Sequence, residues 1–133
     1  MDISSNEVTS EGFRNLFENL LMNESITCLN ISSREGLHRN RLCEGGSEAL
    51  GRYIGRSRYL TFIDLSFTSI SNEGIPFIAE GVFANKNLLS LKIPGSELTF
   101  NSYEYIFRIL ANFKLKDLDI SSNQLGNEVL INL

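Results

Sequence analysis

Three carboxylates are the residues of this chain whose type and spacing come nearest to an active site. Asp117 and Asp119 lie two positions apart, and Asp64 belongs to an equivalent segment. Paired carboxylates serve in acid–base catalysis and metal binding, but on a solvated surface they lack the enclosure that shifts a pKa. The sequence also has no Ser-His-Asp order with plausible partners, no glycine-rich phosphate loop and no Cys-His pair. We therefore predict no catalytic residue, no cofactor and no enzymatic activity.

The two cysteines, Cys28 and Cys43, do not indicate a metal site either. Their spacing is not that of metal ligands, and the single histidine, His38, cannot complete a zinc site with them. Two free thiols fit a reducing compartment, and the N-terminus lacks the charged and apolar regions of a signal peptide. We expect a cytoplasmic protein without a bound metal.

Length and charge limit the kind of partner. The chain has 133 residues, enough for one domain with a real core, and 42% of them are hydrophobic. Its net charge of -4 gives no general attraction to nucleic acid. No apolar stretch approaches the roughly 20 residues needed to cross a bilayer. Neither a nucleic acid nor a membrane is expected as a partner.

A repeated segment organises the whole chain. Its four full copies are SITCLNIS, YLTFIDLS, NLLSLKIP and KLKDLDIS, ending at Ser32, Ser66, Pro94 and Ser121. Each copy reads L-x-x-L-x-L or a close equivalent, and MDIS at the N-terminus is the second half of a fifth. The central anchors follow one another at steps of 28, 34, 28 and 27 residues: Met1, Leu29, Ile63, Leu91 and Leu118.

The second half of each unit has a different period. Apolar residues recur every four positions there, for example Ile78 and Val82. A spacing of four is the helical period, whereas L-x-L is the strand period. Each unit is therefore predicted to be a short strand, a turn and a helix of about three turns. Unrelated units of a doubly wound sheet would not show this self-similarity.

The pattern resembles the leucine-rich repeat, in the long, helix-containing subclass typified by ribonuclease inhibitor. This resemblance covers the whole chain. It implies an α/β horseshoe solenoid, with a parallel sheet on the concave face and helices on the convex face. We predict one leucine-rich-repeat domain over residues 1–133, with about four to five repeats. In that family an Asn three residues after the last strand anchor caps the turn. Asn6 and Asn123 keep it, whereas Thr68 and Ser96 replace it.

The 34-residue step contains an insertion within Ser33–Arg41. Arg34, Arg39 and Arg41 lie in it, and six of the twelve basic residues fall within 25 positions. One interpretation is a docking patch for an acidic or phosphorylated partner, because Arg suits planar oxyanions. The other is a solvated loop that only maintains solubility.

The side chains between the strand anchors should form rows across the concave sheet, since parallel strands lie about 4.8 Å apart. One row is mostly acidic: Asp2, Asn30, Asp64, Lys92 and Asp119. The preceding row contains Cys28, Phe62, Ser90 and Asp117. Phe62 is either a binding anchor or an ordinary exposed apolar side chain. The predicted partner-binding residues are Phe62, Asp64, Lys92, Asp117 and Asp119, with Arg34, Arg39 and Arg41 of the insertion.

Both ends of the sequence fall inside a repeat, and a solenoid normally needs polar end caps. We expect either a piece of a longer repeat array or two copies that cover each other's uncapped ends. The resemblance implies a protein–protein interaction module that uses the concave face and the basic insertion. Two alternatives stay open. One is a regulatory accessory of an enzyme, like the Ran GTPase activators, ribonuclease inhibitors or actin-capping regulators. The other is the ligand-sensing repeat region of an innate immune receptor.

Overall fold

Strands and helices alternate along the chain, as the repeat predicts. The computed structural model describes residues 1–34 and 38–126. The helices are α1 (Ser10–Leu20), α2 (Cys43–Arg56), α3 (Ser71–Ala84) and α4 (Tyr103–Leu110), the last preceded by a 3-10 turn at Phe100–Ser102. The strands are β1 (Cys28–Asn30), β2 (Phe62–Asp64), β3 (Ser90–Lys92) and β4 (Asp117–Asp119).

The four strands form one parallel sheet in the order β1-β2-β3-β4. Their register aligns the central anchors in a single row: Leu29, Ile63, Leu91 and Leu118. The N-terminal half-repeat continues the sheet, since Asp2 bridges to Asn30 and the Ile3 N–H donates to the Asn30 carbonyl at 2.9 Å. The predicted α/β solenoid fold and its strand register are confirmed.

One hydrophobic core lies between the sheet and the helices. The anchors Leu29 and Ile63 are completely buried in it. Towards the N-terminus, Phe13 stacks on Phe17 with 5.8 Å between ring centroids, and Phe17 stacks on Tyr53 of α2 at 5.7 Å. Full burial of one such side chain stabilises the fold by about 1.5–3 kcal/mol. Because neighbouring repeats share these side chains, no repeat buries its apolar face alone.

Glycines set the distance between α2 and α3. A Cβ atom added at Gly51 would overlap the backbone of Phe77, and one added at Gly81 would overlap the carbonyl of Gly51. The two helices therefore touch backbone to backbone, and a groove of about 680 Å³ runs along their outer side past Gly55 and Ala84. Among the described residues, no helix has the length and apolar character needed to cross a bilayer.

Candidate partner-binding surface

The concave surface presents the two predicted rows of side chains. Cys28, Phe62, Ser90 and Asp117 are aligned across the four strands, and so are Asn30, Asp64, Lys92 and Asp119. The structure thus brings all five predicted residues of the sheet onto one surface. The three predicted arginines lie elsewhere, in the connection between β1 and α2.

A cation–π contact stands at the middle of this surface. The Nζ atom of Lys92 lies 5.5 Å from the centre of the Phe62 ring. Phe62 is half-buried and Lys92 is exposed. Such contacts form because the negative face of an aromatic ring attracts a cation. Phe62 and Lys92 therefore form one amphipathic feature, which we call the Phe62–Lys92 pair.

The acidic row has a structural task that its sequence did not reveal. In β1, β2, β4 and the N-terminal half-repeat, the side-chain oxygen at this position accepts a hydrogen bond from the backbone N–H two residues later, at 2.9–3.0 Å. The accepting residues are Asp2, Asn30, Asp64 and Asp119, and the donors are Ser4, Ser32, Ser66 and Ser121. This Asx turn satisfies an N–H group that the end of the strand leaves unpaired.

Lys92 is the one basic residue of this row, and the sequence that follows it explains why no acceptor stands there. The residue two positions after Lys92 is Pro94, which has no N–H group to donate. No acceptor is needed at position 92, and a lysine stands there instead. We conclude that Asp64 and Asp119 hold strand ends, whereas Phe62, Lys92 and Asp117 have no such task among the described hydrogen bonds.

Hydrogen bonding also lowers the pKa of two of these carboxyl groups. The hydroxyl and N–H of Ser121 lower the pKa of Asp119, and the positive charge of Lys92 adds a smaller effect in the same direction. Hydrogen bonds from Ser4 lower the pKa of Asp2. Both shifts favour the charged form, which is the opposite of what a general acid at neutral pH requires. Within residues 1–34 and 38–126, no three His, Cys, Asp or Glu side chains are grouped to hold a metal ion.

The arginines of the insertion fall into two kinds. The guanidinium of Arg39 donates from Nε and Nη2 to the carbonyl of Phe67, at 3.3 and 3.2 Å. Phe67 has a φ of +56°, so Arg39 supports a turn of the next repeat whose backbone is strained. Arg34 and Arg41 are exposed. Only these two are available to a partner; residues 35–37, between them, lie outside the described part of the chain.

The other basic residues that are near in sequence do not join this loop. The insertion follows β1, whereas Arg56 and Arg58 lie at the end of α2 and in the connection to β2, on the other edge of the parallel sheet. Arg52 is 3.7 Å from both Glu18 and Glu48 on the helical face. The six basic residues that cluster in sequence therefore do not form one patch.

Asn40 is the principal residue that sequence reasoning missed. The residue is completely buried. Its Oδ1 atom accepts hydrogen bonds from the backbone N–H groups of Asn6 and Val8, at 3.1 and 2.9 Å. Its Nδ2 atom donates to the carbonyls of Ile3 and Ile31, at 3.0 and 2.9 Å. Asn123 makes the same set of bonds at the other end of the chain. Asn40 is thus the capping Asn of the β1 repeat, displaced by the insertion.

The side chains at the other three capping positions make fewer hydrogen bonds than Asn40 and Asn123 do. Thr68 donates only to the carbonyl of Leu65 at 2.7 Å, and Ser96 only to that of Pro94 at 3.5 Å. Asn6, in the first half-repeat, is exposed and donates to Ser4. The shorter hydroxyls therefore make fewer bonds than the amides of Asn40 and Asn123, and the amide of Asn6 does not make that set of bonds either. The spacing Asn-x-apolar, which Asn6, Asn40 and Asn123 share, is the signal that would have located Asn40.

A second series of asparagines joins the helix ends. The Nδ2 atom of Asn85 donates to the Ile54 carbonyl of α2 at 2.7 Å, and that of Asn112 donates to the Val82 carbonyl of α3 at 2.6 Å. Each amide donates to a carbonyl in the last turn of the preceding helix, where intrahelical partners run out. The sequence signal is an Asn or Ser three positions before the first strand anchor, at Asn23, Ser57, Asn85 and Asn112.

Comparison with known proteins agrees with this architecture. A family model described as "Leucine Rich repeat" matches residues 56–79 and 111–133. A search of curated proteins gave no match. Among solved structures, the chain is similar to the tropomodulin C-terminal domain from a structural genomics study of Caenorhabditis elegans, with a TM-score of 0.69 and 16% identity. That match covers 92% of this chain and 72% of the other, and at this identity it shows the fold alone. Two segments of the chain match the leucine-rich repeat, and its fold is the α/β solenoid that such repeats build.

Proposed function

We propose that this chain is a protein-interaction module that binds its partner on the concave surface. Leucine-rich repeats generally mediate protein–protein interaction. The observation that carries the proposal is the Phe62–Lys92 pair, an aromatic ring and a cation in the middle of a sheet of small and acidic side chains. Aromatic residues concentrate binding energy when a partner covers them. Nothing among the described hydrogen bonds occupies the ammonium group of Lys92.

The charges around this pair define the partner's chemistry. Asp64 and Asp119 flank Lys92 in the register, and Asp117 lies in the neighbouring row. The concave surface is therefore acidic apart from Lys92. A complementary partner presents Lys or Arg side chains around an apolar or aromatic group that covers Phe62.

The test is quantitative recovery of partners from lysate on the immobilised chain. Replacement of both residues (Phe62→Ala, Lys92→Ala) should reduce recovery of the specific partner about tenfold or more, as expected for a central anchor. Phe100→Ala is the matched control, because Phe100 is also aromatic and exposed but lies at the start of α4, away from the concave sheet. If the original chain, the double variant and the Phe100→Ala variant recover equal amounts of the partner, the interaction lies outside the Phe62–Lys92 pair.

The insertion is proposed as a secondary contact through Arg34 and Arg41. The double change Arg34→Glu, Arg41→Glu in the same assay should weaken binding less than loss of the Phe62–Lys92 pair. Arg39 is left unchanged, because its bonds to Phe67 make a structural effect unavoidable. Unaltered recovery would reduce the insertion to a solvated loop.

We also propose a repeat subclass, a domain organisation, a mode of self-association and a cellular location for the chain. Helices of 8–14 residues in α2, α3 and α4 support assignment to the ribonuclease-inhibitor-like subclass. We propose a single repeat domain over residues 1–133, and association of two copies through the ends of the solenoid. Two free cysteines, one of them exposed, support a cytoplasmic location. The enzyme-accessory and immune-receptor roles remain predictions.

A further inference from the structure

The four connections that lead from a helix into the next strand lie along one edge of the solenoid. They comprise residues 21–27, 57–61, 85–89 and 111–116. Because the strands are parallel and in register, every strand begins at this edge. We call these four segments the helix-to-strand rim.

The rim is basic although the chain is acidic. It holds four of the twelve Lys and Arg residues and one of the sixteen Asp and Glu residues. The basic residues are Arg58, Lys86, Lys114 and Lys116, all of them exposed, and the acidic one is Glu24. Arg56, in the last turn of α2, adds a further exposed cation beside it.

The same edge carries the most exposed apolar side chains of the described residues. Phe113 is 98% exposed, Met22 is 80% exposed and Tyr59 is 50% exposed. They belong to three different connections, so each is exposed on its own loop. Phe113 precedes Lys114 directly and Tyr59 follows Arg58 directly, which places apolar and cationic side chains next to each other.

We propose that the helix-to-strand rim binds the surface of a membrane that contains anionic phospholipids. Lys and Arg side chains are attracted to an anionic leaflet, and the neighbouring apolar side chains enter the boundary between head groups and acyl chains. The first two connections line an open recess of about 230 Å³, in which Arg56 and Arg58 lie near Asn23 and the single rim carboxylate, Glu24.

Exposed apolar side chains on three separate loops favour a lipid layer over an acidic protein. A rigid protein partner would need three matching pockets at the spacing of the loops, whereas a fluid bilayer adapts to each side chain. The helix dipole offers a plainer reason for the cations, because helix C-termini attract positive charge. It does not explain why Phe113 is almost fully exposed. The expectation of no membrane partner came from the absence of a membrane-spanning stretch. That criterion does not detect binding to a membrane surface through single exposed side chains on loops.

A single introduced tryptophan can report whether a rim side chain enters the lipid layer, because the chain has no tryptophan of its own. In the Phe113→Trp variant, vesicles of phosphatidylcholine mixed with phosphatidylserine should shift the emission to shorter wavelength, and brominated lipids should quench it. Pure phosphatidylcholine vesicles should do neither. Phe100→Trp, in the turn before α4 and therefore at the opposite end of that helix, should keep its emission unchanged. Vesicle binding without a shift at position 113 would overturn the proposal, because it would show charge attraction alone.

Co-sedimentation separates the rim from the general charge. Lys114→Glu with Lys116→Glu should weaken binding to phosphatidylserine vesicles about tenfold or more at low salt. Arg34→Glu with Arg41→Glu changes the net charge equally on the other edge and should bind like the original chain. No binding of the original chain at low salt, or an equal loss in both variants, would overturn the proposal. So would stronger retention by an acidic protein than by the vesicles, with the same residue dependence.

Discussion

At the scale of single residues, the repeat is held by side chains that satisfy backbone groups rather than by charge pairs. Four residues of one row close a turn where the chain leaves the sheet, and the position that carries Lys92 lies two residues before a proline. A surface that reads as acidic in sequence is therefore partly structural. This distinction leaves Phe62, Lys92 and Asp117 as the concave side chains most free to bind.

The Asx turn of β4 makes stability depend on pH in a definite direction. Hydrogen bonds from Ser121 lower the pKa of Asp119 below its ordinary value of 3.8. Its contribution to the free energy of unfolding is therefore complete above that value and is lost as the pH falls through the lower folded-state pKa. Asp119→Asn should retain the turn, because Asn30 forms the same turn in β1, and should flatten the acid limb of the stability curve. Denaturant titrations below pH 4 measure this, and an unchanged acid limb would contradict it.

At the scale of elements, much of the structure follows from spacing. The L-x-L anchors give the strands and their register, and apolar residues four apart give the helices. Capping of the β1 turn by Asn40 was not predicted, because the family pattern places the Asn at a fixed distance from the strand and the insertion lengthens that distance. The bond from Arg39 to Phe67 could not be predicted either. It depends on where the inserted loop folds back, and periodicity does not contain that information.

The contact between α2 and α3 gives a test of packing with a control on the same helix. A Cβ at Gly51 would overlap the backbone of Phe77, so Gly51→Ala should destabilise the fold by about 1–3 kcal/mol. At Gly55 the nearest atoms would be 3.7–3.9 Å away, which is ordinary contact. Gly55→Ala should be neutral or stabilising by about 0.5–1 kcal/mol, because Ala favours the helix. Thermal unfolding of both variants measures the difference, and equal effects would refute the backbone contact.

At the scale of the whole molecule, a solenoid transmits little from one end to the other. The helix contacts run between sequence neighbours, from α1 to α2, α2 to α3 and α3 to α4. Stability is then close to a sum of repeat and nearest-neighbour terms. The asparagines at the two ends, Asn40 and Asn112, stabilise different junctions and can be compared directly.

Hydrogen exchange of two variants tests whether that picture holds. Asn40→Ala leaves the N–H groups of Asn6 and Val8 and two carbonyls without partners, at a cost of about 2–4 kcal/mol. Exchange should accelerate in the segments that adjoin β1 while β4 and α4 keep their protection. Asn112→Ala should give the mirror result, because its amide joins the C-terminal end of α3 to the connection between α4 and β4. If both variants accelerate exchange uniformly, the chain unfolds as one cooperative unit, and a partner on the concave sheet would then stabilise every repeat at once instead of only the strands it touches.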